Sequence, residues 1–326
     1  MDELRISRFR LRILVAAGIG LAAGEARPVS GATSSGSDSS TSSGSTSSGS
    51  SAADDAGGTT EFVADEGSCG TGGCGGGCGC YGRPYVADGR IRQADVARGN
   101  GWTRNVAASE PLTHAQREAL VAFWTEAALA EHSSVAGFHR FALDLLAHGA
   151  PAELVRAAGR AANQEVEHAL VCFALASRYA GREIGPGAMP LGSSAPIAKN
   201  LVELATWTVR EGCVGETVAA WLAAEILAVV HDPEVRLAMA TIAAEEAEHA
   251  ELAWTTVRWA IATGGAPVRD AVARVFASTP RASASPTAVE CVAHGLLAHE
   301  HVSAVMRRAF EHIVEPCATA MLRACV

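Results

Sequence analysis

From Leu112 to Thr263 apolar residues recur three and four positions apart, the period of helices that each bury one face. Punctuation divides this stretch into four long helices. The first opens at "LTHAQ", where Thr113 and Gln116 carry a capping-box signature, and ends near "AHGAP". The second runs from Pro151, a good first-turn residue, to about Tyr179. The 16 residues "GREIGPGAMPLGSSAP" then break the pattern. The third helix extends from near Pro196 to Val230, and "HDP" turns the chain into the fourth, Pro233 to Thr263. Further helical segments are predicted over Pro267–Ala277 and Pro286–Val326. Two tight hairpins are thus joined by one long connection. At about 3.3 Å per extended residue that connection reaches roughly 50 Å, enough to cross a bundle of 30-residue helices.

Each of the four apolar stripes is interrupted by an ionisable residue. Glu131 falls in line with Leu120, Trp124, Ala128, Val135, Phe138 and Leu145. In "QEVEHAL", Glu165 and His168 share a face with Leu154, Ala158, Ala161, Cys172 and Leu175, while Glu167 points away. Glu216 interrupts Val209, Cys213, Ala220, Ala223 and Leu227. Glu246 and His249, in "EEAEHAEL", line up with Val235, Met239, Ile242 and Ala253. The second hairpin repeats the first, with Glu-x4-Glu on its opening helix and Glu-x2-His on its closing one.

Position along the helices selects among these acids. Glu131 lies 18 residues before Gly149 and Glu165 lies 16 after it; Glu216 lies 16 before Asp232 and Glu246 lies 14 after it. Antiparallel partners equidistant from their turn sit level, so all four meet at mid-height. Glu126 and Glu211, five residues further from the turns, would be offset by roughly 7–10 Å and are assigned to an outer layer or a substrate channel. Four buried carboxylates repel one another, and each is costly to bury alone. Two divalent cations with two neutral imidazoles would bring the set to zero net charge.

A Glu from each of two helices, plus Glu-x2-His from each of the other two, resembles the ferritin-like di-iron carboxylate superfamily over residues 113–263. The resemblance implies an all-α, ferritin-like four-helix bundle of two hairpins with a long crossover. It implies two Fe, with Mn also compatible, held by Glu131, Glu165, His168, Glu216, Glu246 and His249. Glu165 or Glu246 would bridge, each His would bind one metal, and Glu131 and Glu216 would be terminal. Ribonucleotide-reductase small subunits of that superfamily carry a radical tyrosine about one turn beyond the first Glu-x2-His; here that place holds Cys172, which argues against a tyrosyl-radical role. "EGCVGET" also resembles the tRNA-modifying di-iron hydroxylases.

Outside the bundle the chain changes character. Arg5, Arg8, Arg10 and Arg12 precede "ILVAAGIGLAA", 11 apolar residues that are too short to span a membrane and suit a signal peptide cleaved after Ala26. Residues 27–68 read as a Ser/Gly-rich disordered linker. Residues 69–110 are a Gly/Cys-rich segment and lead-in, 111–264 the bundle, and 265–326 C-terminal helices; the N-terminal third is expected to be disordered. An exported protein, periplasmic, cell-surface or secreted, with no transmembrane span in its mature chain, is the expected setting. Cys69, Cys74, Cys78 and Cys80 match no zinc spacing; disulfides, a soft-metal site and free thiols all remain open. Cys172, Cys213, Cys291, Cys317 and Cys325 are read as small packing residues. His132, His139 and His148 are read as solvent-facing or capping residues, and Trp207, Trp221, Trp254 and Trp259 as packing residues. Glu290, His294 and His301 fall on one face of the last predicted helix, either a packing face or an accessory site.

The formal charge of −9 gives no support for nucleic acid as a partner, since phosphate neutralisation needs clustered Lys and Arg. Three functions follow. The first is an oxidoreductase that activates O2 or peroxide, either to oxidise iron or to oxidise a small organic substrate. The second is a non-catalytic metal-binding or surface scaffold protein, and the third an RNA-modifying hydroxylase.

Overall fold

The structure, a computed structural model, describes residues 9–10, 12–13, 82–104, 111–192, 196–279 and 289–324. The expected cleavage site after Ala26, the linker 27–68, the four clustered cysteines and Cys325 lie outside the described residues.

The described chain is mostly helical. Helix α1 (His114–Ala147) packs along α2 (Ala152–Ala180), and the pair is joined by a short turn whose Gly149 has φ +68°. Helix α3 (Leu201–Val229) turns at Val230–Asp232 into α4 (Pro233–Gly264), which packs on α3 and on α2. Helix α5 (Ala266–Ser278) follows. The last helix, α6, runs His299–Ala309, continues through a π-helical turn at Phe310–Val314 and ends as Glu315–Ala324.

The termini of these helices follow from their sequences. The Thr113 side chain accepts the N–H of Gln116, and the Gln116 side chain accepts the N–H of Thr113, completing the capping box. Asp232 caps α4 by accepting the N–H groups of Glu234 and Val235. Arg178, at the end of α2, clasps the same carboxylate through two hydrogen bonds of 2.8 and 2.7 Å, tying the two hairpins together. The third helix begins at Leu201 rather than Pro196 because Asn200 caps it, accepting the N–H of Glu203.

Two apolar clusters fill the interior. The larger gathers Trp124, Phe173, Trp221, Trp254 and Met306; the smaller gathers Phe138, Phe141, Leu145 and Leu154. Along α1 and α2 the polar site lies between them: Ala128 and Phe138 flank Glu131, while Ala162 and Ala169 flank Glu165 and His168. By length and composition α3 could cross a membrane, but 72% of its apolar window is buried inside the protein, as in a central core helix.

The structure departs from the sequence expectations at three places. Residues 82–104 are not disordered. They form short antiparallel pairs, β1 (Val86–Ala87) with β2 (Arg90–Ile91), and β3 (Val96–Ala97) with β4 (Gly185–Pro186) in the crossover. Tyr85 donates its N–H to Ser133 Oγ on α1, and Ser133 Oγ donates to the Arg92 carbonyl. Second, α3 is not uniformly α-helical, because Val209–Glu216 is a π-helix. Third, the final segment is not one helix. Cys291 and Leu296 form a β-bridge around a 3-10 turn, Val292–His294, followed by Gly295 at φ +89°, where a Cβ would lie 3.3 Å from Trp124, Ile226 and Val235.

Glycine makes room for the ordered segment 82–104. A Cβ on Gly137 of α1 would fall inside 3.0 Å of the Arg83 carbonyl oxygen, and one on Gly215 of α3 inside 3.0 Å of the Gly82 carbonyl. These two helices leave a slot into which Gly82 and Arg83 fit. Gly137→Ala should therefore destabilise the protein by about 1–3 kcal/mol or more, as overpacking against fixed backbone does. Urea denaturation measures it, and an unchanged midpoint would contradict the seating of this segment.

Candidate metal centre

The six residues expected from the sequence converge. Glu131 comes from the middle of α1, Glu165 and His168 from α2, Glu216 from the last position of the π segment, and Glu246 and His249 from α4. They form two overlapping groups whose candidate ligand atoms lie within 4.8 Å of one another: Glu131, Glu165, His168 and Glu246, and Glu165, Glu216, Glu246 and His249. Glu165 and Glu246 belong to both. Five of the six are buried; Glu131 keeps 21% of its side chain exposed.

Distances within the cluster suit a shared ion. His168 Nδ1 lies 3.3 Å from Glu246 and 3.8 Å from both Glu131 and Glu165. His249 Nδ1 lies 3.2 Å from Glu165 and 3.6 Å from Glu246. Two atoms each about 2.0–2.2 Å from one ion sit roughly 3–4 Å apart. Glu165 Oε2, both oxygens of Glu216, Glu246 Oε2 and the Nδ1 atoms of both histidines are buried without a hydrogen-bond partner. Buried polar atoms are rarely left so. Six of them aimed at one place fit a cation-binding centre, and these residues could hold a metal ion.

The outer nitrogens of the imidazoles are fixed. His168 Nε2 is 2.7 Å from Glu245 Oε2, and His249 Nε2 is 3.0 Å from Gln164 Oε1. Each partner immediately precedes the Glu of the opposite Glu-x2-His motif, so the two motifs brace one another crosswise. With Nε2–H donating outward, each Nδ1 lone pair faces inward, the arrangement by which proteins orient metal-binding histidines. Phe138 lies against the His249 ring at 4.8 Å.

Arg83 completes the surroundings. It is fully buried, its guanidinium rests 3.9 Å from the centre of the Phe141 ring, its Nη1 donates to Glu211 at 3.4 Å, and its Nε is 3.9 Å from Glu216 Oε1. Arg140 also pairs with Glu211, and its Nε lies 3.7 Å from Asp144. Asp144, Arg140, Glu211 and Arg83 thus form a chain of alternating charge whose positive end meets Glu216 at the centre.

Without a metal the cluster settles its charge with protons. Burial, helped by Glu165, pushes Glu131 up to about 8, and burial with Glu246 raises Glu216 well above the usual carboxylate range. Burial would lower both histidines, but the surrounding carboxylates outweigh it; His168 is raised well above its ordinary value and His249 to about 9. Burial would likewise raise Glu165 and Glu246, yet the imidazoles hold both below the ordinary value. Two acids and two imidazoliums therefore carry the protons, and two carboxylates stay ionised.

The remaining sequence candidates fall outside this set. Glu211 sits between two arginines, in the outer layer where its offset placed it. Glu126 is half-buried, and burial raises it to about 7. His139 is exposed; His148 caps α1, its ring bonded to the Asp144 carbonyl. His132 is neither solvent-facing nor a cap, since it packs edge-on against Trp102. Cys172, Cys213, Cys291 and Cys317 are buried, although Cys291 belongs to the β-bridge rather than to a helix. Trp221 and Trp254 are buried core residues, Trp254 donating to Thr217 Oγ1; Trp207 and Trp259 are half-buried, Trp207 beneath Arg140. Glu290, His294 and His301 share no helical face. His294 sits in the 3-10 turn, buried, 2.9 Å from the Tyr179 hydroxyl and 3.5 Å from Asp232, and braces the hairpins.

A small cavity opens beside the centre between α1, α3 and α4. Its volume is about 50 Å³, its walls include Phe123, Trp124, Leu222, Ile226, Met239 and Ile242, and Glu131, Glu246 and Cys172 line it as well. Compared with known proteins, the chain matches no family model, no curated protein and no solved structure.

Proposed function

We propose that this chain is a ferritin-like, dinuclear metal protein, an oxidoreductase that uses O2 or peroxide to oxidise a small, uncharged substrate. The observation that carries the reading is the convergence of buried, unsatisfied ligand atoms from Glu165, His168, Glu216, Glu246 and His249, joined by Glu131, on one point between the helices. Iron is the favoured metal, and manganese accepts the same Glu/His set. A redox-active pair bound there would supply the electrons for reducing oxygen species. The protein's own part is positional: Glu165 and Glu246 would serve both positions, Glu245 and Gln164 fix the imidazoles, and apolar side chains surround the centre. Glu131, part-exposed and lining the cavity, marks the side from which a reactant would arrive.

The mostly apolar wall of the cavity favours a small apolar reactant over a ferrous ion, and its volume of about 50 Å³ suits a molecule of a few atoms or the reacting end of a larger one. The acids in that wall, Glu131 and Glu246, already belong to the centre, so an arriving dication would shed its hydration shell against Phe123, Trp124, Leu222 and Ile226. The RNA-modifying reading is less favoured, because a formal charge of −9 gives no support for a nucleic-acid partner. The basic and apolar start of the chain and its Ser/Gly-rich stretch support an exported setting, which cell fractionation tests.

Anaerobic loading with ferrous iron, metal analysis and then an oxygen-electrode trace test the proposal. The expected result is two irons per chain, with oxygen uptake that repeats when reductant is added. Two irons that never consume oxygen would instead favour the scaffold reading.

A further inference from the structure

We infer that the two metal positions, though built by a repeated hairpin, are unequal, and that the one framed by Glu131, Glu165, Glu246 and His168 fills first. The inference rests on the dinuclear reading above and concerns residues outside the ligand set. Two independent features break the symmetry of the repeat in the same direction.

The first is the partner of each imidazole. His168 donates its outer N–H to a carboxylate, Glu245 Oε2 at 2.7 Å, whereas His249 faces a neutral amide oxygen, Gln164 Oε1 at 3.0 Å. A carboxylate behind a ligating imidazole makes it a better donor to a cation, and such outer partners typically change metal affinity 10–100-fold. In sequence the partner is the first residue of each motif, Gln in "QEVEH" and Glu in "EEAEH".

The second is Arg83, whose charge faces only one of the positions. Its Nε lies 3.9 Å from Glu216, a candidate ligand of the second group alone, and its Nε and Nη2 have no hydrogen-bond partner. The neighbouring chain of Asp144, Arg140, Glu211 and Arg83 is neutral in sum, but its positive end is the one that meets the centre. A buried guanidinium against one ligand repels a cation sharing that ligand more than a cation further away. The placement is built in. A Cβ on Gly212 would fall inside 3.0 Å of Arg83 Nη2, and Gly137 and Gly215 leave room for the backbone on either side of it. The π-helical turn holds Glu211 and Glu216 in reach of the same guanidinium.

Titration of the full metal-free chain with Mn(II), followed by electron paramagnetic resonance, tests this. The first equivalent should give the hyperfine pattern of an isolated ion, with the spin-coupled signal of a pair growing only as the second is added. Glu245→Gln should weaken the first step by about 10–100-fold and leave the second nearly unchanged. Arg83→Gln should tighten the second step on the order of tenfold, while Arg83→Lys keeps the two steps apart; circular dichroism confirms that each variant folds. A coupled signal dominant from the first additions of metal to the wild-type chain would overturn the inference, as would variants that move both steps equally. Binding of no manganese, or of one ion only, would instead remove the dinuclear reading and this inference with it.

Discussion

Glu246→Ala or Glu165→Ala protein should retain neither metal, whereas Glu131→Ala and Glu216→Ala should each keep about one ion per chain. The asymmetry follows from the two overlapping groups, since Glu165 and Glu246 contribute to both and Glu131 and Glu216 to one each. Removing a shared carboxylate takes a ligand from each position and also strips both imidazoles of a counter-charge, because His168 and His249 each contact Glu165 and Glu246. In the metal-free protein, breaking such a buried pair from one side costs about 3–5 kcal/mol, so these two variants should also melt well below the wild type. Glu165→Gln and Glu246→Gln, which keep the shape and lose the charge, separate ligation from packing. Metal analysis of the purified variants beside their melting curves gives the answer. Wild-type metal content in either alanine variant would show that the cluster is not the binding site.

That these ligands could be read from the sequence has a physical reason. A carboxylate in an apolar stripe breaks the helical pattern, and the distance of Glu131, Glu165, Glu216 and Glu246 from their turns depends only on the regular rise of a helix. Their convergence was therefore legible without coordinates, and the structure brings them together. The residues around them were not legible. Gln164 and Glu245 are polar neighbours of polar residues, and only the crossing of α2 and α4 reveals that each serves the opposite histidine. Arg83 follows a glycine-rich stretch with no periodicity, and its partner Glu211 lies 128 residues away. The glycines that admit it, Gly137, Gly212 and Gly215, were the available signal: glycine at three buried places in two core helices marks where another segment passes close. The π-helical turn and the bend at Gly295 left no trace in the apolar period, since both are set by what packs against them.

Binding of two dications near neutral pH should expel about four protons, so the pair's combined affinity should rise by up to about ten-thousandfold per pH unit. Glu131 at about 8 and His249 at about 9 hold their protons at neutral pH, as do Glu216 and His168, which are raised as well. Each must lose one to ligate. Glu165 and Glu246 are already ionised and contribute none. The same shifts set the stability of the metal-free fold. For His249 the raised value is a stabilisation fully present below 6.5 and lost as pH climbs through about 9. Glu131, raised from 4.5 to about 8, favours the folded state in its acid form, so its contribution also declines as pH rises across that interval. Glu165, Glu245 and Glu246 act oppositely: held below 4.5, they stabilise above it and lose that contribution as pH falls. Metal-free protein should thus be most stable in mildly acidic solution and weaken toward pH 9, while the metal-loaded form gains over the same span. Calorimetric titration in two buffers of different protonation enthalpy counts the protons, and melting curves with and without manganese across pH follow the divergence. An affinity indifferent to pH would mean that the carboxylates and imidazoles already stand deprotonated, and the account of how this interior balances its charge would be wrong.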